Sequence, residues 1–403
     1  MVASRRFILL MTLFLVFESC GDPKASRDFL PRIYLFGMDS VSFEGKSECY
    51  LSYLDEDEDD LRIDKQRIMA KYRGGMSAGF PKHSMTIKLR KAHALAGLKN
   101  DRDWILNASY IDKSFMRHKL SFDLFNSFST DNEAPATAYV EVYMDSNYYG
   151  LYVLMERMDA SALAVDKQDS TSFIFKGPPI FLRPALLLDS LNLIPFDNQY
   201  QKSPRIAERN MHSHLTRARD FIARSSNEEF SSEPGGIQDL FDIKNIIDWH
   251  LLLLVTNSED GLAKNYYVYK KNEGTGIRIA PWDYDHTFGR DGDNEPSWES
   301  FIDCHGNFML KRLLALNPNN YRESLKRRYI ELKERGILTS EYINGMIQEN
   351  YRIIEPCLDR NAAAWPMDAA LYYDSLNTTR ELELIKKWTV KHMRLVDELM
   401  LAN

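Results

Sequence analysis

Residues 246–289 combine an apolar helix, a polar loop, a β-hairpin and an acidic loop, and this order strongly restricts the fold. The run from Ile246 to Val255 is mostly apolar and long enough for a helix. The segments Tyr266–Tyr269 and Ile277–Ala280 flank a glycine-containing turn and predict two paired strands. Because a hairpin returns the chain to the end where it began, the loops before and after it should converge.

The two loops carry oxygen-bearing side chains. Asp260 and Asn265 lie in the first loop, and Asp283 and Asp285 lie in the second. In phosphoryl transfer, one carboxylate aligns the attacking hydroxyl, while an amide and a further carboxylate hold the metal ions that bridge the phosphates. Asp260 fits the first role, and Asn265 and Asp283 fit the second. Because Asp and Asn are also common turn residues, the spacing alone is a weak signal, and the order of elements supplies most of the support.

A glycine-containing loop is a candidate for the phosphate-binding side of this site. Residues 73–84 contain three glycines, two serines, an arginine and a lysine between two predicted strands. Glycine lets backbone amides approach phosphate oxygens, and basic side chains add charge-assisted hydrogen bonds. We therefore take Arg73, Gly74 and Ser77 as candidate binding residues. A loop of this composition is more often only a hairpin connection, and it lacks the G-K-S/T sequence of a P-loop.

Two lysines are candidates for the phosphate ligand. In the predicted strand Ser84–Leu89, alternation places three apolar side chains on one face and Lys88 on the other. If the apolar face packs beneath the sheet, Lys88 points into the cleft; otherwise it is an exposed edge lysine. Lys82 lies nearer to the glycine loop and suits the same role, so the sequence leaves both candidates open.

Strand patterns dominate the first part of the chain and helix patterns the second. The predicted strands are Pro31–Phe36, Cys49–Tyr53, Arg67–Tyr72, Ser84–Leu89, Ala138–Met144 and Gly150–Met155, with one helix at Lys113–Ser127. After about residue 160 the predicted helices are Ile206–Arg224, Asp239–Val255, Asn307–Leu316, Asn320–Arg335, Ser340–Tyr351 and Thr379–Leu401. This order predicts an α+β protein with a strand-rich part at 31–160, a helical part at 161–403 and a cleft between them.

The N-terminus predicts export. Two arginines precede an apolar run from Phe7 to Phe17, which is too short to span a bilayer but suits a signal peptide. Cys20 follows closely and resembles the acylated cysteine of bacterial lipoproteins. We therefore expect a signal peptide at 1–19, a lipid on Cys20 and a tether at 20–30, which would place the protein on the membrane of the cell envelope. Ordinary signal-peptidase cleavage nearby is the alternative.

The composition limits the choice of partners. With 403 residues and 44% hydrophobic content, the chain can bury a substantial core. Its formal net charge of −7 argues against a nucleic-acid partner. The four cysteines lack zinc-type spacing, and the three beyond Cys20 allow at most one disulfide, with buried free thiols as the alternative.

Together these segments resemble the CotH family of spore-coat-type atypical protein kinases, from about Pro31 to the last predicted helix. The motifs that carry the resemblance are Arg73-Gly-Gly-Met-Ser77 with Pro81-Lys-His-Ser84, Trp104–Asp112 with Met116-Arg117, Val140–Tyr152 with Glu156, Asn257-Ser-Glu-Asp260 with Asn265, and Pro281–Asp285 with Phe288-Gly289. Their order and spacing are more specific than any one of them.

This resemblance implies a two-lobed, protein-kinase-like fold with the active site between the lobes. It implies transfer of the γ-phosphate of ATP, with Mg²⁺ or Mn²⁺, to Ser or Thr of a protein substrate. By position, Asp260 would be the catalytic aspartate. Asn265 and Asp283 would be metal ligands, with Asp285 as an additional ligand.

The resemblance also assigns roles on the nucleotide side. Lys82 or Lys88 would neutralise the phosphates, and Glu156, also a candidate for cofactor binding, would lie near the strand that joins the lobes. The sequence departs from the family pattern at Gly75-Met76, where Asn-Ser is common, and at His83 and His118, where Lys and Asn are usual. These departures bear on nucleotide affinity more than on metal binding.

Two residues near these motifs have roles that the sequence leaves less defined. Arg117, at the start of the predicted helix, is expected either to pair with an acid in the cleft or to be exposed. His286 follows Asp285, but we interpret it as structural because Mg²⁺ prefers oxygen ligands.

The sequence therefore favours an exported, lipid-anchored kinase of the CotH type. ATP is scarce outside the cytoplasm, and this leads to two alternatives on the same scaffold. One is a surface binding or adhesion protein without turnover, and the other is an enzyme of adenylyl transfer. The retained carboxylate and amide positions argue for chemistry, because packing alone does not require them.

Overall fold

The computed structural model describes residues 29–55, 61–182, 188–189, 192–193, 197–291, 295–298, 301–366 and 377–402. The predicted signal peptide, Cys20 and most of the tether lie outside these residues. Within the described ranges, no helix is both long and apolar enough to cross a membrane. The cysteines at positions 49, 304 and 357 are buried free thiols, which was the alternative to a disulfide.

The first part of the chain forms a closed seven-stranded β-barrel. Its strands are β1 (Arg32–Phe36), β2 (Ser47–Leu54), β3 (Ile63–Arg73), β4 (Ser84–His93), β5 (Asp101–Asn107), β6 (Thr137–Met144) and β7 (Asn147–Glu156). Their order is β1-β2-β3-β4-β5-β7-β6, and the parallel pairing of β1 with β6 closes the barrel. Alternating side chains fill its interior, where Ile33, Leu51, Ile87 and Val142 are fully buried.

The barrel agrees with a strand-rich first part but differs from the prediction in two respects. The sequence does not predict β5, because this strand opens with the charged residues Asp101, Arg102 and Asp103 rather than with alternating apolar ones. Nor does it predict closure, because closure depends on the pairing of strands from opposite ends of this region. The α+β class is correct.

The rest of the chain is mainly helical. The helices are α1 (Arg117–Phe128), which lies between β5 and β6 in the sequence, α2 (His212–Arg224), α3 (Asn227–Ser231), α4 (Ile237–Leu240), α5 (Ile243–Thr256), α6 (Glu259–Ala263), α7 (Phe308–Leu316), α8 (Tyr321–Glu334), α9 (Ser340–Ala364) and α10 (Thr378–Leu401). Single 3-10 turns occur at Met38–Ser40, Met76–Gly79, Asn198–Tyr200, Cys304–Gly306 and Pro318–Asn320.

A four-stranded antiparallel sheet accompanies these helices in the order β11-β8-β12-β13. Its strands are β8 (Phe173–Lys176), β11 (Gln201–Ser203), β12 (Tyr266–Lys270) and β13 (Arg278–Pro281), and β9 (Leu188–Asp189) pairs with β10 (Asn192–Leu193) separately. The predicted hairpin is therefore confirmed as β12 and β13.

Helix α5 lies at the centre of the second part. Its residues from Asn245 to Thr256 are all buried, as expected for a helix that is apolar on nearly every side. It packs against α1, α8, α10 and β13. The helix ends at Asn257, whose left-handed conformation turns the chain into the loop that carries Asp260.

Helix α9 connects the two parts of the molecule. Near its C-terminal end, Oδ1 of Asn361 accepts a hydrogen bond from the backbone N–H of Leu151 in β7 at 3.0 Å. Just after the helix, Nε1 of Trp365 donates to the backbone oxygen of Tyr149 at 2.5 Å. These bonds fix a helix of the second part against the barrel.

Candidate active site

A cavity of about 1080 Å³ lies where the barrel meets the second part of the chain. Its lining comes from the β3–β4 loop, the segment after β5, the chain between β7 and the loop after β11, and the loop after β13. This is the position at which the sequence predicts a cleft. The volume is at or above the upper end of the range of about 300–1,000 Å³ that is typical of small-ligand sites.

The acidic loop after β13 is held in an unusual backbone conformation. Asp283 has a φ of 63°, which a residue with a side chain rarely adopts. Nδ2 of Asn265 donates to the backbone oxygen of Asp283 at 2.6 Å, and Nδ1 of His118 accepts the backbone N–H of Tyr284 at 3.0 Å. Bonds from two different elements thus stabilise the loop and expose the carboxylate of Asp283.

His118 joins Asp283 and Asp285 in a group whose potential metal-binding atoms all lie within 4.8 Å of one another. Because Nδ1 of His118 accepts an N–H from the backbone of Tyr284, the neutral ring carries its proton on Nε2. Nε2 lies 3.9 Å from Oδ1 of Asp283. In this tautomer Nε2 carries a proton and has no lone pair to offer a metal.

The two carboxylates of this group are suited to a shared cation. Burial and the neighbouring charge of Asp283 raise the pKa of Asp285. Two close carboxylates repel each other when both are ionised, and a divalent cation with oxygen ligands removes that repulsion. The sequence predicted both aspartates as ligands but did not include His118 in the site. Its departure from the family pattern, in which Asn is usual at this position, is the signal that could have pointed to it.

Arg73 and Lys176 form a positively charged surface beside these carboxylates, which we call the basic wall. Both lie against the ring of Trp282, at 5.6 Å and 4.5 Å from its centroid. Burial, together with the charge of Arg73, lowers the pKa of Lys176 to about 8, while Asp283 acts in the opposite direction. Among the described residues, no carboxylate forms an ion pair with either cation.

The glycine loop also borders the cavity, through Gly74, Gly75 and Ser77. Gly74 has a φ of 157°, and a Cβ atom there would lie 2.5 Å from the backbone nitrogen of Ala78. Only glycine can therefore make this turn without a clash. The structure places Arg73, Gly74 and Ser77 on the same cavity wall.

Lys82 does not have the environment of a phosphate ligand. Its side chain borders the cavity but is only 2% exposed. Nζ donates to the backbone oxygens of Ala108 and Leu151 and lies 3.3 Å from Oδ1 of Asn361, so three acceptors take its three protons. Burial lowers its pKa well below the usual value. Lys82 is a buried link between the barrel and α9, which corrects its predicted catalytic and binding roles.

Unlike Lys82, Lys88 and Glu156 are not among the described residues that line the cavity. The predicted apolar face of β4 is buried, but Nζ of Lys88 on the opposite face lies 3.5 Å from Oδ2 of Asp103, and the side chain is 40% exposed. Glu156 ends β7, where the chain leaves the barrel, and pairs with Lys99 at 3.2 Å. Both predicted nucleotide contacts are therefore replaced by ion pairs with protein side chains.

The sequence predicts that Asp260 and Asn265 face the cavity with Asp283, but the structure places their side chains elsewhere. Ser258 caps the short helix α6. On this helix Oδ1 of Asp260 lies 3.0 Å from Nζ of Lys264, one turn later. Neither Asp260 nor Asn265 is among the described residues that line the cavity. The side-chain amide of Asn265 donates to the backbone oxygen of Asp283, so in the structure Asn265 positions the acidic loop.

Four buried charged residues, Asp112, Arg117, Arg290 and Glu381, form what we call the paired network. Arg117 bonds to Asp112 at 2.6 Å and to Glu381 at 2.5 Å, and Glu381 also binds Arg290. Nε of Arg117 donates to the backbone oxygen of Thr287, two residues after Asp285. Arg117 thus pairs with acids and is not exposed, and the network ties α1 and α10 to the acidic loop.

Burial alone would raise the pKa of Glu381, but Arg117 and Arg290 more than offset burial and hold it at about 2. Glu381 therefore remains ionised between its two arginines. Sequence reasoning missed this residue because it lies on the last helix, far from every motif.

Residues 70–395 match the family described as CotH kinase protein. The chain is 26% identical over 300 residues to the inner spore coat protein H of Bacillus subtilis (strain 168), an alignment that covers 73% of this chain and 79% of that protein. A crystal structure of the golgi casein kinase superimposes with a TM-score of 0.34 and 9% identity, over 93% of this chain and 75% of that one. The last similarity is too slight to bear on fold or function.

Proposed function

The chain belongs to the CotH kinase protein family, and from this membership we propose that it transfers the γ-phosphate of ATP to Ser or Thr of a protein substrate. The observation that carries the proposal is the arrangement of charges in the cavity. Two carboxylates, Asp283 and Asp285, lie beside Arg73 and Lys176, with which no carboxylate of the described part of the chain forms an ion pair. A metal-bound triphosphate requires acids for the metal and bases for the phosphate oxygens.

Asp283 and Asp285 are the residues that would hold Mg²⁺ or Mn²⁺. Their oxygens suit a hard divalent ion, and the pKa of Asp285 is raised first by burial and then by the charge of Asp283, a repulsion that such an ion would remove. Bound there, the ion would neutralise charge on the phosphate oxygens. Nε2 of His118 carries a proton in this site and can donate it in a hydrogen bond to Asp283 or to a phosphate oxygen.

The basic wall would bind the phosphates. The guanidinium of Arg73 offers several fixed donors, and the ammonium of Lys176 offers a compact charge. Trp282 holds both side chains on one surface. Gly74 brings the backbone of the glycine loop close to the same side of the cavity.

Asp260, the candidate for aligning the acceptor hydroxyl, is paired with Lys264 in the structure. Asp260 would need to leave Lys264 and turn toward the cavity to serve as the catalytic aspartate. We keep Asp260 as the candidate named by the family motif and make its role a direct object of the test.

The test incubates purified protein with ATP labelled at the γ- or α-phosphate. Transfer of γ-label supports a kinase, transfer of α-label supports adenylyl transfer, and transfer of neither supports a binding protein. We expect Asp283→Asn to lower γ-transfer by on the order of 10³-fold and to weaken Mn²⁺ binding in calorimetry. Asp39→Asn, which alters an exposed aspartate outside the cavity, is the matched control. Wild-type rates in Asp283→Asn would reject the proposed site.

The same assay separates the two roles predicted for the acids. If Asp260 aligns the hydroxyl, Asp260→Asn should lower γ-transfer but leave Mn²⁺ binding unchanged. If its ion pair with Lys264 is its whole role, Asp260→Asn should retain transfer. A loss of metal binding in Asp260→Asn would place it among the ligands instead.

We also propose that the protein is exported and held in the cell envelope by a lipid on Cys20. The sequence supports this through the apolar run and the cysteine that follows it. Mass spectrometry of the mature N-terminus tests the proposal. An unmodified Cys20 in the mature protein would reject acylation, and recovery of the protein with its first 19 residues in the cytoplasmic fraction would reject export.

A further inference from the structure

The cavity carries more positive charge than the proposed nucleotide and metal site uses. Ten of the described residues that line it are lysine or arginine, and five are aspartate or glutamate, in a chain whose net charge is −7. Of these acids, Asp283 and Asp285 are the proposed metal ligands and Asp112 belongs to the paired network. A nucleoside triphosphate binds with divalent cations that already neutralise much of its charge.

Part of this excess charge lies in a second group of cations, Lys46, Arg157 and Lys202, which we call the outer cluster. Arg157 is close enough to both lysines to lower their pKa values, although burial is the larger cause in each case. Arg157 and Lys202 are exposed, whereas both residues of the basic wall are partly buried. The outer cluster therefore borders the more open part of the cavity.

The outer cluster is only partly neutralised by the protein. Lys46 and Arg157 share one carboxylate, that of Asp103, at 3.7 Å and 3.3 Å. Asp103 is also the partner of Lys88. Nζ of Lys202 donates to a backbone oxygen, and no carboxylate of the described residues forms an ion pair with it. Two or more positive charges thus remain available to an anionic ligand.

The location of the outer cluster indicates which ligand it would bind. Arg157 follows β7 and Lys202 lies in β11, so both belong to the chain that leads from the barrel into the sheet. The outer cluster continues outward from the basic wall, because β11, which carries Lys202, pairs with β8, which carries Lys176. Since the cavity is large for one small molecule, it can hold a nucleotide together with a segment of a second ligand.

We propose that the outer cluster binds acidic side chains that flank the acceptor residue, so that the preferred substrate is an acidic peptide segment. In an extended peptide, a residue near the acceptor in sequence can contact the rim while the hydroxyl enters the cavity. Asp, Glu and phosphorylated Ser all supply the required anionic oxygens. This inference rests on the proposed kinase function and adds its substrate class.

The first test compares three peptides of equal length that carry one Ser flanked by Glu, Gln or Lys. We expect the Glu peptide to have the lowest KM, by about tenfold relative to the Gln peptide, because each partly exposed ion pair contributes a few-fold. The double variant Arg157→Glu with Lys202→Glu should reverse this order. Lys387→Glu, on an exposed and distant face of α10, should leave the order unchanged.

Binding of the same peptides is measured by fluorescence anisotropy, so that the inference can be judged without turnover. Tighter binding of the Glu peptide to wild-type protein, lost in the double variant, supports the outer cluster. Transfer of γ-label without preference among the peptides, or a preference that the double variant retains, would overturn the inference but not the kinase function. If no peptide or protein receives label, the proposed function fails, and equal binding of all three peptides would then reject this inference separately.

Discussion

The paired network and the basic wall contain similar side chains but differ in how their charges are balanced. In the network, two arginines meet two carboxylates, and each side chain is at most 2% exposed. In the wall, Arg73 and Lys176 lie against a tryptophan and form no ion pair with a described carboxylate. Charges that are paired inside the protein hold its structure, whereas unpaired charges at a cavity are available to a ligand.

The two regions meet at the acidic loop. The network holds the loop from one side, because Arg117 donates to the backbone oxygen of Thr287. The wall faces the carboxylate of Asp283 on the cavity side. Removing a network residue should therefore lower stability first, and removing a wall residue should lower ligand affinity first.

The largest expected effect is the loss of stability in Glu381→Gln. This change removes the charged carboxylate that both Arg117 and Arg290 bind, and breaking a buried ion pair from one side typically costs about 3–5 kcal/mol. Urea unfolding measures the free energy of unfolding. The control is Glu383→Gln on the same helix, whose exposed carboxylate lies 3.8 Å from Lys387 and should contribute less than about 1 kcal/mol. Equal losses in the two variants would contradict the comparison.

The contribution of Glu381 should also depend on pH. Its pKa is about 2 in the folded protein against 4.5 for the free group, so it binds a proton less readily when folded. Its contribution is then complete above about pH 4.5 and is lost as the pH falls toward 2. The difference in unfolding free energy between wild type and Glu381→Gln should shrink over that range. A difference that stays constant would show that Glu381 does not act through its charge.

Lys176→Met should have the opposite pattern of effects. Its loss removes the proposed phosphate contact but no ion pair with a described carboxylate, so we expect nucleotide affinity to fall by about 10- to 100-fold, the usual value of a charged hydrogen bond. Stability should be unchanged or slightly higher, because burial opposes the charge of Lys176. Calorimetry with Mg²⁺ and ATP measures the affinity, and urea unfolding measures the stability. A variant that unfolds easily but binds ATP normally would place Lys176 with the network residues.

The charge of Lys176 also predicts how nucleotide affinity varies with pH. In the free protein its pKa is about 8, and bound phosphates should raise it. Affinity should therefore be greatest below pH 8 and fall above it, by at most about tenfold per pH unit. Lys176→Arg, which keeps its charge, should remove this dependence. A slope that persists in Lys176→Arg would assign the titration to another group.

Most elements follow from local sequence patterns, and this explains what could be predicted. The hairpin β12–β13 follows from two short strand-forming runs around a glycine-containing turn, the apolar face of β4 follows from alternation, and the helices follow from apolar spacing. Barrel closure depends on pairing between β1 and β6, which no local pattern records. Long-range pairing is therefore the part of the fold that the sequence leaves open.

The candidate site divides in the same way. The motif that contains Asp283 and Asp285 lies in one loop, so the sequence places both carboxylates together. Lys82 is surrounded by backbone oxygens from other parts of the chain. Asp260 pairs with a lysine one helical turn later. Residue type and spacing identify a charged group, but only its neighbours determine whether it is free to bind a ligand.

Lys88→Ala should have the smallest effect of all. Lys88 forms an exposed ion pair with Asp103, and pairs of this kind contribute about 0–1 kcal/mol. We therefore expect the free energy of unfolding to change by less than about 1 kcal/mol and ATP affinity to change by less than about twofold. The same calorimetric and urea measurements test this beside Lys176→Met. A tenfold loss of ATP affinity in Lys88→Ala would restore Lys88 as a phosphate ligand and would show that a lysine paired in the free protein can leave its partner for the nucleotide.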